Sequence, residues 1–324
     1  MHILITGGAG FLGRKLAQAL LARGSLAGAD GRPRRIEKIT LADIADAAGI
    51  SDPLVTSLAG DLGDPALLDR AFAGGVDGVF HLAAVVSGEA EANFDLGWRV
   101  NADATRALLE RCRALRTTPR VAFASSVAVF GGALPERVPD DQVVTPQSSY
   151  GAQKAVCELL VHDYARKGFV DGRSLRLPTV TVRPGRPNKA ASSFASGIVR
   201  EPLAGVEAVC PVDASTRMWV VSPRTVVESL IAGYEAPASS LPPSHAVNVP
   251  GISVTVAEMV DALRRVAGDA VADRVVFRHD ETIDRIVRTW PRDFDAKVGR
   301  ALGMRGDASF EAIVRQYVEH DRPR

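Results

Sequence analysis

Along the first half of the chain, short apolar runs recur at wide spacing, each followed by a longer stretch with apolar positions every three to four residues. The runs are His2 to Thr6, Ile39 to Asp43, Val55 to Leu58, Gly78 to Leu82, Arg120 to Ala124 and Leu175 to Arg183. Their nearly continuous hydrophobicity predicts strands buried on both faces. The intervening stretches, residues 12–23, 65–73, 98–116 and 149–167, predict helices with one apolar face. Strand and helix in alternation predict an α/β fold, a doubly wound parallel sheet covered by helices on both sides. Residues 24–35 hold Gly, Arg and Pro33 without a period and read as a surface loop. Beyond Arg183 the pattern loosens into an irregular segment, RPGRPNKAASSF, and then shorter elements punctuated by Pro, Gly and Ser. A main domain over residues 1–178 and a smaller mixed region over 179–324 follow from this. His245 to Val249 with the helix Val256 to Ala267 reads as a return to the main sheet, so the two regions interleave at about 245–267.

Composition narrows the classes. A chain of 324 residues with 46% hydrophobic residues fills a core without staples. Its 39 basic and 38 acidic residues leave a net charge of +1, which speaks against nucleic-acid or polybasic membrane binding. Cys112, Cys157 and Cys210 have neither a disulfide pattern nor the Cys/His spacing of a zinc site, so no metal is expected and all three read as packing residues. Met1 to Thr6 already reads as a strand with no basic and apolar leader before it, and no apolar run approaches the roughly 20 residues of a membrane span. A cytoplasmic enzyme is the expectation.

Chemistry enters at the first turn. Thr6-Gly7-Gly8-Ala9-Gly10-Phe11-Leu12-Gly13 sets glycines three apart between a strand and a helix. Such glycines let the chain turn tightly, bring backbone N–H groups against a pyrophosphate and seat the helix on the strand. The pattern alone is weak, but the strand before and helix after it make a Rossmann-type dinucleotide site, with Gly7, Gly10, Phe11, Leu12 and Gly13 as contacts. Asp43 ends the next apolar run, where a carboxylate accepts from ribose hydroxyls and repels a 2′-phosphate, favouring NAD over NADP. Arg14 and the Arg32 to Arg35 run are the residues that would instead serve a phosphate. Asp61 and Leu62 follow the third strand near an adenine edge, with helix capping before Pro65 as the alternative for Asp61. His81-Leu82-Ala83-Ala84 ends the fourth strand in small residues that let a cofactor lie close to Ala83, and His81 reads as structural.

Tyr150 and Lys154 are four apart at a helix start and share one face. A phenol of pKa about 10 is a poor base at neutral pH unless a neighbouring ammonium stabilises its phenolate. Tyr150 then takes a hydroxyl proton from a substrate as hydride leaves the same carbon. Ser126, just past the fifth strand, stands where it orients the substrate oxygen, with a turn-forming role open for Ser125 or Ser126.

Together TGGAGFLG, HLAA, ASSVAVFG, YGAQK and RLPTVTVRPG resemble the extended short-chain dehydrogenase/reductase superfamily over nearly the whole chain. The resemblance implies catalysis by Tyr150, Lys154 and Ser126, with Tyr150 and Lys154 also touching the cofactor NAD. It places Pro178 against the cofactor, Asn101 near the active site, and a homodimer contact on the helices near 98–116 and 149–167. Most relatives act on nucleotide sugars. Here Thr179 stands where those enzymes carry Asn, Phe130 replaces a Tyr, and Ser222 stands near an expected Asp. Val127 and Ala128 stand where dehydratases and decarboxylases carry their acids, so simple hydride transfer remains. The segments RPNKAASSFASGIVREPL and STRMWVVSP resemble a branch that oxidises a small sugar acid at C2, D-erythronate or a close aldonate.

A 2-hydroxy acid needs a cation for its carboxylate, and Arg183, Lys189 and Arg217 are the candidates. Arginine forms the better bidentate clamp, which favours Arg183 and Arg217. Ser87, Ser126, Tyr150 and Thr179 complete the expected substrate contacts. Two other readings stand beside the dehydrogenase: a nucleotide-sugar epimerase, which uses the same Tyr and Lys, and a dinucleotide sensor without chemistry, which the intact Tyr150, Lys154 and Ser126 set speaks against.

Overall fold

The first apolar run is β1 (His2–Thr6), with Ile3, Leu4 and Ile5 fully buried, and it turns through the glycines into α1 (Phe11–Arg23). The computed structural model describes residues 1–28, 30–115, 117–185 and 191–322. After α1 come β2 (Ser25–Ala27) and β3 (Pro33–Arg35), an antiparallel hairpin where the sequence predicted a loop. The hairpin forms because Leu26 drops into the core and Arg34 pairs with Asp77 at 3.1 Å. Three-residue strands are too short to show a period.

The chain continues through β4 (Lys38–Asp43), β5 (Val55–Ala59), α2 (Pro65–Ala71), β6 (Gly78–His81), α3 (Ser87–Ala92) and α4 (Phe94–Gly97). The helix expected over 98–116 is split: Trp98–Asp103 is a π-helical turn, and α5 (Ala104–Ala114) follows. Then come β7 (Arg120–Ser126), α6 (Ser149–Arg166) and β8 (Asp171–Leu177). The expected strand over 175–183 begins earlier and stops at Leu177, because Pro178 has no N–H for the ladder. Its remainder, β9 (Thr179–Val180), pairs in a different sheet.

The C-terminal part holds α7 (Ser193–Leu203), β10 (Ala208–Cys210), β11 (Arg217–Val221), α8 (Pro223–Glu235), β12 (Ala246–Asn248), β13 (Ile252–Thr255) and α9 (Val256–Ala267). It ends with α10 (Asp269–Ala272), β14 (Val275–Phe277), α11 (Glu281–Val287), α12 (Lys297–Ala301) and α13 (Phe310–Gln316).

Seven strands form one sheet in the order β12-β8-β7-β6-β1-β4-β5, every neighbouring pair parallel. α1 and α8 cover one face with Leu16, Leu20 and Leu230, and α2, α5 and α6 cover the other with Leu67, Leu108 and Cys157. Burying each such leucine contributes about 1.5–3 kcal/mol. β12 lies at the sheet edge beside β8, whereas α9 packs with α7 and α13 through Leu263, Ile198 and Ile313 in a separate core. Of the stretch from 245 to 267, only the strand joins the sheet. β13, β11 and β9 form a small sheet of their own. No helix among the described residues is long and apolar enough to cross a membrane.

Candidate active site

In the main sheet β4 and β5 lie to one side of β1, while β6, β7 and β8 lie to the other, so the strand order reverses beside β1. At such a switch point the loops leaving neighbouring strands diverge and leave a crevice at their carboxyl ends. A cavity of about 1000 Å³ lies there. It is lined by Gly7, Gly10, Phe11, Leu12, Gly13, Asp43, Asp61, Leu62 and Ala83 at one end. Ser87, Ser126, Tyr150, Lys154, Pro178, Thr179, Arg183 and Arg217 line the other. Lys189 lies outside the described residues. Arg14 and Arg32 to Arg35 are not among the lining residues.

The glycine loop has no room for side chains. Gly7 has φ +69°, and a Cβ there would meet the Ala83 nitrogen at 2.8 Å; one on Gly13 would meet the Gly7 carbonyl oxygen at 2.2 Å. α1 therefore sits directly against the loop. Its N-cap is Gly10, which offers no capping side chain, and its first turn carries no acid, so the N–H groups of Phe11 and Leu12 are open to an anion. Asp43 braces this loop, its Oδ2 accepting from the N–H groups of Ala9 at 3.0 Å and Gly10 at 3.2 Å. Asp61 is not the cap of α2; that is Asp64, which accepts from Ala66 N–H. Asp61 instead accepts from Gly63 N–H and pairs with Arg99 at 2.6 Å at the cavity rim.

The other end, with Ser126, Tyr150 and Lys154, is built on β7 and α6. Ser148 caps α6 by accepting from Gly151 N–H, which places Tyr150 in the first turn, half-buried at the cavity wall. Burial pushes the Tyr150 phenol up to about 12, opposed by the Ser126 hydroxyl bonded to it and by the nearby charge of Arg183. Lys154 is buried, its Nζ donating to Ala124 O at 2.8 Å and lying 5.7 Å from the centre of the Tyr150 ring. Burial draws its ammonium down to about 8, while the neighbouring Cys157 and Glu158 oppose the shift. The two serines take different places. Ser126 Oγ accepts from Ala128 N–H at 3.1 Å and keeps its own proton for the cavity side, toward Tyr150, whereas Ser125 donates to buried Glu158 at 2.5 Å behind the wall.

Two further residues matter at one remove. His81 is buried between the hydroxyls of Thr6 and Thr105, and burial, then the charge of Lys154, draw its imidazole down to about 3. It is neutral and structural. Asn101 is buried in the π-helical turn, where it accepts from Val85 N–H at 2.8 Å, donates to Val85 O, and donates to Gln153 on α6 at 2.7 Å. It ties the loop after β6 to α6, and its side chain lies behind the cavity.

At the far end, α7 holds Arg183 from several sides. Arg183 N–H donates to Ser196 Oγ at 3.0 Å, and Arg200 donates to Arg183 O at 2.8 Å. Burial and the charge of Arg200 lower its guanidinium somewhat, with Tyr150 opposing, but an arginine there stays charged. Among the described residues no carboxylate pairs with it. Arg217, by contrast, is exposed, 4.0 Å from Glu258 and in reach of Ser253. Arg285, Trp290 and Pro291 close this end of the cavity. Sequence reading missed them, because they lie more than 100 residues beyond the Tyr150 motif and no local pattern marks them.

Residues 3–245 match the profile of the NAD dependent epimerase/dehydratase family. The chain belongs to this family. NAD is accordingly its cofactor, and the residues present fit it: the glycine cradle that a Cβ would fill, the uncapped N-terminus of α1 for a pyrophosphate, and Asp43 at the end of β4. Among relatives, D-erythronate dehydrogenase of Cupriavidus necator is 57% identical over 319 residues, covering 98% of each chain. D-erythronate dehydrogenase of Haemophilus influenzae is 46% identical over 322 residues, covering 99% of this chain and 100% of its own. Among solved structures, a nucleoside-diphosphate-sugar epimerase from Agrobacterium tumefaciens superposes with a TM-score of 0.92 at 45% identity, covering 99% of this chain and 94% of its own.

Proposed function

We propose that the protein oxidises D-erythronate, or a closely related small aldonate, at C2 to the 2-oxo acid with reduction of NAD. The observation that carries this reading is Arg183: a guanidinium inside the cavity, without a carboxylate against it among the described residues, and close enough for its charge to act on the Tyr150 phenol. In a 2-hydroxy acid the reacting hydroxyl and the carboxylate are attached to the same carbon. A base and a cation that line the same cavity, the cation with no carboxylate against it among the described residues, match that arrangement. The two relatives named for D-erythronate support the substrate.

In this reading Arg183 clamps the carboxylate, with Ser87, Thr179 and Arg217 toward the hydroxyls and the open end. Ser126 donates to the C2 hydroxyl oxygen. Tyr150 takes the hydroxyl proton as the C2–H bond breaks, and Lys154 stabilises the tyrosinate and reaches the nicotinamide ribose. NAD, when bound, would supply the hydride acceptor for C2. Gly7, Gly10, Phe11, Leu12 and Gly13 would hold the pyrophosphate, Asp43 the ribose, Asp61 and Leu62 the adenine, and Ala83 and Pro178 the nicotinamide side. Residues 1–178 form the cofactor domain and 179–324 mainly the substrate region, with β12 returning to the first. The protein is a cytoplasmic homodimer through α5 and α6; the three reduced, buried cysteines and the exposed Leu159 on α6 support that assignment.

A nucleotide-sugar epimerase is the second reading, favoured by the name of the Agrobacterium structure. One experiment separates the two. Purified protein with NAD is offered D-erythronate, its stereoisomers and other short aldonates, beside a UDP-hexose. NADH production from a four-carbon acid, lost in Tyr150→Phe, is the expected result; interconversion of the UDP-hexose with no acid oxidised overturns the proposal.

A further inference from the structure

Behind the cavity wall a second charged group shares the face of Lys154. Glu158 follows Lys154 by four residues on α6, so the two side chains stand one turn apart. Its carboxylate accepts from Ser125 Oγ at 2.5 Å, from Arg176 Nε at 3.0 Å and from Arg176 Nη2 at 2.7 Å. The guanidinium of Arg176 lies over Phe130, 4.8 Å from the ring centre. Ser125, Glu158 and Arg176 are 2%, 6% and 6% exposed and come from β7, α6 and β8. The residues they touch or adjoin reach the cavity: Ser125 precedes Ser126, the Ala124 carbonyl before Ser125 accepts from Lys154, and Phe130 under Arg176 lines the cavity.

A buried ion pair adds little net stability, because desolvating two charges offsets their attraction. Placing one directly behind a reaction centre calls for another reason. We propose that Glu158, clamped by Arg176 and Ser125, is a positioning residue that keeps Lys154 in its ammonium form and fixes the end of β7 that carries Ser126. The proposal rests on Tyr150, Lys154 and Ser126 being the reacting group.

Burial alone drives Lys154 toward the neutral amine, in which form it gives a tyrosinate no support. A fixed carboxylate one turn away opposes this. The other groups around Lys154 do not replace it. Cys157 on α6 also opposes the shift, ahead of Glu158, but burial raises its own thiol and so disfavours the thiolate that would carry that charge, and His81 on β6 is neutral. Asp103 of the π-helical turn acts on Cys157, Glu91 of α3 accepts from Ser149 N–H, Glu110 of α5 accepts from Tyr164, and Arg183 acts on Tyr150.

The test is the titration of Lys154 in the full-length protein, read from its ¹⁵N side-chain resonance, which is assigned by its loss in Lys154→Arg. Glu158→Gln is expected to lower that inflection by about one pH unit. It should also reduce the plateau kcat with D-erythronate by about tenfold, the same shift expressed as a change in the Tyr150/Lys154 proton balance. KM for NAD is expected to stay within about twofold. Because Glu158→Gln leaves Arg176 buried and unpaired, the double variant Glu158→Gln/Arg176→Leu is measured alongside; it folds without an unpaired charge and shows a lowered inflection, by less than the single variant because the opposing charge of Arg176 is gone as well. An inflection equal to wild type in either folded variant overturns the proposal. The resonance titrates without substrate, so a wild-type protein inert toward D-erythronate whose Lys154 still responds to Glu158→Gln removes the substrate assignment and leaves the positioning role standing.

Discussion

Tyr150 and Lys154 are held away from their ordinary proton affinities in opposite directions, the phenol up to about 12 and the ammonium down to about 8. As a coupled pair they lose their first proton near the lower value, and shifting the remaining proton between them gives tyrosinate beside ammonium. Oxidation is therefore expected to rise about tenfold per pH unit below pH about 8 and to level above it. A kcat profile that is flat from pH 6 to pH 9 argues against this pair as the base. Tyr150→Phe should lose about a thousandfold in kcat. The same burial has a folding consequence. Between pH about 8 and 10.5 the unfolded chain holds a proton on Lys154 that the folded chain lacks, so stability rises with pH across that window, and below pH 8 the cost is present in full. Lys154→Met should accordingly raise ligand-free stability at pH 7 by roughly 1–2 kcal/mol in urea unfolding, while oxidation is lost. At the substrate end, Arg183→Leu should raise KM for the aldonate by about 10–100-fold, since it deletes a charge-assisted bidentate contact, and Arg217→Leu by far less. Equal effects of the two would move the carboxylate toward the rim.

At the scale of elements, the glycine loop depends on the approach of α1 to β1. Gly13→Ala puts a methyl 2.2 Å from the Gly7 carbonyl oxygen, a backbone atom that has no side-chain freedom to yield. The helix start must shift, and the Phe11 and Leu12 N–H groups move with it. The expected outcome is a KM for NAD raised by at least about tenfold, with KM for the aldonate changed less, checked by steady-state kinetics in both substrates. The π-helical turn is the opposite case, a local departure from regular helix where Asn101 links the loop after β6 to Gln153. Such turns concentrate at functional sites because they re-aim a side chain without ending the helix.

For the whole molecule, the cavity lies between the carboxyl ends of the main sheet and the small sheet of β13, β11 and β9, so its two ends are lined by different layers. Leu159 is 67% exposed on α6, a large apolar side chain on the helix that also carries Tyr150 and Lys154. Leu159→Glu is expected to convert a dimer into a monomer in light scattering, with the cavity residues undisturbed. A wild-type protein already monomeric at micromolar concentration removes the α5–α6 contact.

The chain's own pattern was enough for the parallel α/β order, the glycine turn and the pairing of Tyr150 with Lys154, because each depends on spacing within one element or across one turn. It missed the β2–β3 hairpin, whose strands are three residues long and stabilised by burial of Leu26, and it ran β8 through Pro178 into β9, which belongs to another sheet. It chose Ser126 from its place just past the strand end, with a turn-forming role left open for Ser125 or Ser126. Only the packed structure separates them, since Glu158 and Arg176 behind β7 claim one hydroxyl and leave the other to the cavity. It likewise left Arg183 and Arg217 equal as carboxylate ligands. Whether a cation is free to bind an anion depends on which carboxylates the fold brings beside it, and those partners, Glu258 for Arg217 and none described for Arg183, come from parts of the chain that no local period connects.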